Sequence, residues 1–183
     1  FESLRTVEPG KPVGKGRDIK AGMLASHGEV RLFMDADLAT PLHHIKTVLA
    51  MFENESPDII IGTRRLTKIH KDIPRQLISL LGNLCFMLVG GFYSPDTQCG
   101  FKAFTDEAAN ICFNKQTRMK WSFDMELLTI ANVNKLRVQQ IALNDWQDMP
   151  DGTFKPSLGS SLQFFKDLLK IFFKRILGKY KKK

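Results

Sequence analysis

The chain has 183 residues and the composition of an ordinary globular domain, with 43% hydrophobic and 25% charged residues. Its net charge of +8 favours phosphate-bearing or membrane partners. The three cysteines lack the spacing of metal ligands, which excludes a cysteine metal site and indicates core residues or free thiols in a reducing compartment. The chain begins with Phe1 and nothing near it resembles a signal peptide, so we expect a fragment of a longer protein.

The first predicted elements are a loop at residues 1–16, rich in glycine and proline, and a helix at 17–26. Gly14-Lys15-Gly16 joins the two. This tripeptide is not a P-loop, because the first glycine and the Ser or Thr after the lysine are both missing. A Gly-Lys-Gly sequence at the start of a helix can still present amide groups and an ammonium group to a phosphate. A flexible turn is the alternative.

A strand that ends in two acids is the centre of the predicted site. Residues 32–34 read as a buried strand, and Asp35 and Asp37 follow it before a helix with Thr40 as N-cap and Pro41 as first residue. Ligands of open α/β sheets bind beyond the carboxyl ends of strands, and side chains two positions apart on an extended segment point the same way. The two carboxylates are therefore predicted to bind Mg²⁺ or Mn²⁺ together with phosphate oxygens and water. A solvated strand end with a capped turn is the alternative.

A helix at 42–52 and a second buried strand at 58–62 follow. His43 and His44 are adjacent and do not share a helix face as metal ligands would, so we interpret them as surface residues. Beyond the strand come three arginines, Arg64, Arg65 and Arg75. If the two strands are parallel, these cations lie at the same sheet edge as the two acids, where they can bind phosphate. A solvated basic surface is the alternative.

The apolar segment at 77–92 is too short and too interrupted to span a membrane, which favours a buried or interfacial helix. The next predicted elements are a strand at 101–104, a helix at 105–113 capped by Thr105, a helix starting at Trp121 and an edge strand at 138–143. Asp124 and Glu126 fall in the first turn of the helix that starts at Trp121. Acids there suit the helix dipole, so a structural role competes with a catalytic one.

The C-terminal segment at 157–177 carries apolar side chains at alternating steps of three and four residues, with four basic residues among them. The charges are too frequent for a helix that spans a membrane. The pattern predicts a basic amphipathic helix on an anionic membrane surface. A helix packed on its own domain, with a solvated basic end, is the alternative.

Five motifs occur in one order along the chain: Gly14-Lys15-Gly16, Asp35-Ala36-Asp37 with Thr40-Pro41, Gly62-Thr63-Arg64, Asp96 to Lys102 (DTQCGFK) and Trp121 to Leu127 (WSFDMEL). Together they resemble the family 2 glycosyltransferases with the GT-A fold, of the dolichyl-phosphate β-glucosyltransferase or polyprenyl-phosphate sugar transferase type. The last two motifs are more similar to the glucosyltransferase branch than to the mannosyltransferase branch. The resemblance covers roughly residues 10–150.

The resemblance implies an α/β fold of GT-A (Rossmann-like) type, with a mixed, mostly parallel sheet flanked by helices. Residues 1–156 would form a partial GT-A catalytic domain, and 157–183 the basic amphipathic helix and tail at the membrane interface. The family's first βαβ portion, which holds much of the nucleotide-base site, precedes the Gly-Lys-Gly and is missing from this sequence. We therefore expect weak donor binding or no activity from this chain alone.

The function implied by the resemblance is inverting transfer of a sugar, glucose from UDP-glucose, to a polyprenyl or dolichyl phosphate. A divalent cation, Mg²⁺ or Mn²⁺, would neutralise the charge that the leaving nucleoside diphosphate gains. The acceptor phosphate is already an anion, so a strong general base is less necessary than with a hydroxyl acceptor. The implied roles are donor binding by Lys15, Asp35 and Asp37, metal binding by Asp35 and Asp37, acceptor-phosphate binding by Arg64, Arg65 and Arg75, and catalysis by Asp96, Asp124 and Glu126.

The expected partners are a nucleotide-diphosphate sugar, a polyprenyl or dolichyl phosphate and a membrane surface. The expected location is the cytoplasmic face of a membrane, the endoplasmic reticulum in a eukaryote or the plasma membrane in a prokaryote. Two alternatives remain, a GDP-mannose-dependent polyprenyl-phosphate mannosyltransferase and a non-catalytic, membrane-peripheral basic module. Nucleic-acid binding is not expected, because the basic residues gather on a tail without base-stacking aromatic residues on a strand platform.

Overall fold

The computed structural model describes residues 4–64, 84, 86–91, 94, 96–147 and 158–182, the backbone alone at 158–162. Residues 86–90 are helical. The other helices and strands are α1 (Lys15–Ala25), β1 (Val30–Met34), α2 (His44–Glu55), β2 (Ile59–Arg64), β3 (Phe101–Thr105), α3 (Asp106–Lys115), α4 (Phe123–Val133), β4 (Val138–Leu143) and α5 (Leu158–Ile176).

The described strands form one mixed sheet in the order β1-β3-β2-β4. Strand β3 is antiparallel to both of its neighbours, whereas β2 and β4 are parallel. Strands β1, β2 and β4 therefore run in the same direction, and their carboxyl ends meet at one edge of the sheet. This confirms the predicted α/β fold with a mixed sheet, and β4 lies at an edge of the described strands as predicted. The expectation that the sheet is mostly parallel is not met among these strands, because two of their three pairings are antiparallel.

Both faces of the sheet are covered, as expected for a sheet with parallel strands. Alternation along β2 sends Ile59 and Ile61 to one face and Ile60 to the other, and all three are fully buried. Helices α1, α3, α4 and α5 pack on the first face, around an aromatic group that includes Phe104 and Phe113 with ring centroids 5.2 Å apart. Helix α2 covers the second face through residues such as Val48.

Helix α2 starts later than predicted. The expectation that Thr40 caps it and Pro41 opens it is wrong, because α2 begins at His44 with His43 as N-cap. Residues between β1 and α2 form turns instead. Leu38 has a left-handed φ of 56°, and the N–H of His44 donates to the Pro41 carbonyl oxygen over 3.2 Å. At α3, by contrast, the predicted cap by the Thr105 side chain is confirmed.

The predicted C-terminal helix is present as α5, and it packs on the core of the domain through the buried side chains of Leu168 and Ile171. Asp167 ties it to the segment before α4, because it accepts hydrogen bonds from Arg118 (2.9 Å) and Ser122 (2.6 Å). Burial raises the pKa of Asp167, but the bonds from Ser122 and Arg118 outweigh burial and leave that pKa below its usual range. The division into 1–156 and 157–183 stays a prediction.

Among the described helices, none combines the length and the apolar character needed to cross a membrane. The expectations for the apolar segment at 77–92 and for the C-terminal segment at 157–177 stay predictions. Only part of the first segment, residues 84 and 86–91, belongs to the described chain.

Candidate active site

The loop after β1 carries the two predicted metal-binding acids at the carboxyl edge of the sheet. The N–H of Asp35 donates to the Gly100 carbonyl oxygen over 3.0 Å, which joins this loop to the residues before β3. An added Cβ at Gly100 would lie 1.9 Å from an Asp35 carboxylate oxygen, so the glycine makes room for that carboxylate. Asp37 is exposed, and its Oδ1 accepts from the N–H of Ala39 (3.0 Å). The turn thus presents both acids at the edge where a ligand is expected.

Lys15 lies next to Asp35, as predicted for two donor-binding residues. Its Nζ donates to Asp35 Oδ1 at 2.5 Å, and the same ammonium lies 5.8 Å from the centre of the Trp121 ring. The glycines around Lys15 have a packing role. An added Cβ at Gly16 would lie 2.7 Å from the Phe123 Cβ, and one at Gly14 would lie 2.8 Å from a backbone oxygen of residue 119. The Gly-Lys-Gly sequence therefore lets α1 begin against the start of α4. This packing places Lys15 beside the loop after β1 that carries Asp35 and Asp37, called the acid loop below.

Asp124 lies behind this pair and is bound to a lysine that the sequence did not single out. Lys102 Nζ donates to Asp124 Oδ1 (2.5 Å) and to the Cys99 carbonyl oxygen (2.6 Å), and both charged side chains are buried. Burial raises the pKa of Asp124, and the Lys102 ammonium opposes that rise. The charges of Lys15 and Asp35 also act on Asp124. A chain of alternating charges thus runs from the exposed acid loop into the core.

Arg64 is bound to Asp96. The sequence predicts that Arg64 binds the acceptor phosphate and that Asp96 acts in catalysis. Arg64 donates from Nε to Asp96 Oδ2 (2.6 Å) and from Nη2 to Oδ1 (2.8 Å), and its backbone N–H donates to Oδ2 (3.1 Å). The guanidinium also lies 5.3 Å from the centre of the Trp146 ring. These bonds raise the pKa of Arg64, and the Asp35 carboxylate adds to the rise. The arginine is a permanently charged, oriented donor at the same sheet edge as the acid loop.

Glu126, the third acid predicted to act in catalysis, is fully buried on α4. Its Oε2 accepts from the N–H groups of Thr117 and Arg118, each at 2.6 Å. Its Oε1 accepts from the hydroxyls of Thr117 (2.6 Å) and Tyr180 (2.7 Å). Burial raises the pKa of Tyr180, and the neighbouring carboxylate adds to that rise. The geometry favours a structural role for Glu126, and its catalytic role stays a prediction.

The structure pairs four of the predicted site residues, Lys15 with Asp35 and Arg64 with Asp96. Asp37 lies in the same loop as Asp35, and the charges of Lys15 and Asp35 act on Asp124. Arg65 and Arg75 lie outside the described residues. Lys102 was missed because nothing in the sequence shows that a lysine in a strand is buried. Trp146 was missed as well, although the rule that ligands lie beyond parallel strand ends applies to β4 as it does to β1.

The interpretation of His43 and His44 as separate surface residues is incomplete. His44 has a side chain only 12% exposed, and its Nε2 lies 2.6 Å from Asp145 Oδ1. His43 Nε2 lies 3.1 Å from Asp145 Oδ2, and the two imidazole rings are 4.3 Å apart. The two rings converge on a carboxylate that the loop after β4 supplies, so neighbours in sequence meet here without needing to share a helix face.

Comparison with known proteins gives the family and the fold. The profile of glycosyl transferase family 2 matches residues 2–119. A dolichyl-phosphate β-glucosyltransferase of Trichomonas vaginalis is 32% identical over 87% of this chain and 50% of its own length. The human enzyme of the same name is also 32% identical, over 98% of this chain and 58% of its own length. The chain thus spans about half the length of these relatives.

Solved structures of glucosyl-3-phosphoglycerate synthase from Mycobacterium tuberculosis share the fold. One, in complex with Mn²⁺, UDP and glucosyl-3-phosphoglycerate, has a TM-score of 0.54 and 14% identity over 90% of this chain and 55% of that one. Another, with Mn²⁺ and UDP-glucose, has a TM-score of 0.52 and 17% identity over 90% of this chain and 56% of that one. The predicted GT-A fold is confirmed, and with the profile match over most of its length the chain belongs to glycosyl transferase family 2.

Proposed function

We propose that the chain is part of an inverting glycosyltransferase that transfers glucose from UDP-glucose to dolichyl or another polyprenyl phosphate. The observation that carries the proposal is that the ion pairs Lys15–Asp35 and Arg64–Asp96 both lie at the carboxyl edge of the sheet, where the Asp35 charge acts on Arg64. One pair suits a metal-bound diphosphate and the other a phosphate acceptor. The names of the relatives at about 30% identity support glucose as the sugar and dolichyl phosphate as the acceptor.

The acid loop fits a divalent cation. Asp37 is exposed, Asp35 is partly exposed, and Gly100 leaves space for the Asp35 carboxylate. Two carboxylates with room for further oxygen ligands suit Mg²⁺ or Mn²⁺ better than a soft metal. We assign the cation to Asp37 with help from Asp35, and when bound it would neutralise the charge on the departing diphosphate. The fold relatives with bound Mn²⁺ favour manganese as the ion to test first.

On the donor side, Lys15 is the residue that adjusts to the ligand. Its ammonium is paired with Asp35. A diphosphate at this edge offers oxygens to the same ammonium, which has three N–H donors and a flexible stem. Lys15 therefore helps to hold the diphosphate and leaves the Asp35 carboxylate to the cation.

On the acceptor side, Asp96 orients Arg64 rather than acting as a base. It binds Nε and Nη2 of the guanidinium, so we assign Nη1 to the acceptor phosphate. The acceptor is an anion near neutral pH, because the second pKa of a phosphate monoester is near ~6. Its oxygen can attack the anomeric carbon without losing a proton. The protein therefore has to position the acceptor phosphate rather than remove a proton from it. Asp124 is paired with Lys102, and we assign it an electrostatic role, because its charge interacts with those of Lys15 and Asp35.

The exposed face of α5 fits the surface of a membrane that contains the lipid acceptor. Phe165, Leu169, Phe173 and Ile176 are each more than half exposed and recur at helical spacing. Lys166 and Lys170 on this helix are exposed too. An apolar stripe beside basic residues binds anionic lipid surfaces. We place the protein at the cytoplasmic face of the endoplasmic reticulum membrane, since the relatives are from eukaryotes.

A transfer assay with a conservative arginine variant tests the proposal. Glucose transfer from UDP-glucose to dolichyl phosphate is measured in detergent micelles with Mn²⁺, using the full-length enzyme that contains this chain, and GDP-mannose is offered in parallel. Arg64→Lys keeps the charge but loses the two-point contact with Asp96, and we expect transfer to fall by at least about tenfold. Arg5→Lys, at an exposed position outside the site, is the control. Transfer of mannose instead of glucose, or an Arg64→Lys variant as active as the control, would contradict the assignment.

A further inference from the structure

A cluster of three metal-ligating side chains lies outside the acid loop. It consists of His43 and His44 at the start of α2 and Asp145 in the loop after β4. One ligand atom from each of the three residues lies within 4.8 Å of the other two. Both oxygens of the carboxylate face an imidazole, Oδ1 that of His44 at 2.6 Å and Oδ2 that of His43 at 3.1 Å.

The fold holds this cluster in place. The N–H of Gln147 donates to the Ala39 carbonyl oxygen (3.0 Å), which fastens the loop after β4 to the loop before α2. The His44 ring lies edge-on to Phe101 with centroids 6.5 Å apart, and its side chain is largely buried. His43, in contrast, is 62% exposed and Asp145 44% exposed. The cluster thus has one fixed ligand, two adjustable ones and an open side toward solvent.

We propose that His43, His44 and Asp145 form a binding site for Zn²⁺, separate from the cation site of the acid loop. Two imidazole nitrogens and one carboxylate oxygen are a ligand set of zinc sites that keep a fourth position for water. Bonds of about 2.1 Å in a tetrahedron separate the ligand atoms by about 3.4 Å. The two nitrogen–oxygen distances, 2.6 Å for His44 and 3.1 Å for His43, lie within about 1 Å of that separation. Imidazole ligands also favour zinc over the Mg²⁺ or Mn²⁺ that suit two carboxylates.

Occupancy would tie together two loops at the rim of the candidate active site. Asp145 is followed by Trp146, whose ring lies against Arg64. A zinc ion held by α2 and by this loop therefore fixes the position of an aromatic neighbour of the arginine. The zinc site itself does not depend on the proposed function, because its ligands are distinct from the donor, acceptor and metal residues assigned above.

Zinc titration of the metal-free chain tests the proposal. Calorimetry with ZnCl₂, and the visible absorption of Co²⁺ as a spectroscopic substitute, are applied to the wild type, His44→Ala, Asp145→Asn and His27→Ala. His27 is an exposed histidine away from the cluster and is the matched control. Circular dichroism verifies that each variant is folded.

We expect one zinc ion per chain, bound at least about tenfold more weakly by His44→Ala and Asp145→Asn and unchanged in His27→Ala. The bound Co²⁺ should show the strong visible bands of a tetrahedral site in the wild type and the control alone. Millimolar Mg²⁺ should not displace the zinc. Absence of zinc binding by the folded wild type would overturn the proposal. Equal zinc affinity in all four proteins would overturn it as well, since zinc would then bind elsewhere.

Discussion

Replacing Glu126 by alanine should destabilise the chain strongly, because this carboxylate is the shared acceptor of a buried hydrogen-bond network. It accepts two backbone N–H groups, from Thr117 and Arg118, and two hydroxyl groups, from Thr117 and Tyr180. Alanine leaves the two N–H groups without an acceptor, at about 1–2 kcal/mol each for partly buried donors. We therefore expect a loss of about 3 kcal/mol in the free energy of unfolding. For a chain of this length that lowers Tm by roughly 6–12 °C.

The assay is urea and thermal unfolding followed by circular dichroism. Glu107→Ala is the matched control, because Glu107 is also a helical glutamate but is 71% exposed and pairs with the exposed Lys182. An exposed pair of this kind contributes at most about 1 kcal/mol. Tyr180→Phe, which removes one of the four donors, should cost about 1–2 kcal/mol. If Glu126→Ala is no less stable than Glu107→Ala, the structural role assigned to Glu126 is wrong.

Three further predictions concern buried charge, the exposed helix face and pH. Lys102→Met leaves the buried carboxylate of Asp124 unpaired and should lower the free energy of unfolding in urea by about 3–5 kcal/mol. Adding Asp124→Asn should recover part of this loss. A loss below about 1 kcal/mol would contradict the ion pair. Leu169→Glu should weaken binding to anionic liposomes at unchanged Tm, whereas Leu49→Glu on α2 should not; equal effects would remove the membrane role of α5. The folded-state pKa of Asp167 is lowered, so the stability that its ionised carboxylate contributes is complete above the unfolded pKa of about 3.9 and is lost as the pH falls below that value. The difference in free energy of unfolding between wild type and Asp167→Asn should therefore shrink from pH 5 to pH 3. A difference that is constant over this range would refute the last prediction.

The sheet could be predicted because its signals are local. The apolar run 59–61 is long enough for a strand buried on both faces, and the acids after β1 mark the point where a strand leaves the core. The start of α2 could not be predicted in the same way. Thr40 and Pro41 satisfy the local preferences of a helix start, but the left-handed turn at Leu38 and the turns that follow it delay the helix to His44.

The site was predictable in its residue types and only partly in its partners. The acids after the first strand and the Gly-Lys-Gly before the first helix identified Asp35 and Lys15, which lie in contact although 20 positions apart. Whether an acid in the first turn of α4 faces a ligand or the core depends on residues far away in sequence. Glu126 meets Tyr180, 54 positions on, and no local pattern reports such a contact.

Binding of UDP-glucose by calorimetry, with and without Mn²⁺, is the most direct test of the proposed metal-assisted donor site. It compares the wild-type chain with Asp37→Asn, a change that removes a negative charge at an exposed position. We predict weak binding that requires Mn²⁺, at least about tenfold weaker in the variant, and tighter for UDP-glucose than for GDP-mannose. Binding that is independent of Mn²⁺ and equal in both proteins would contradict the account.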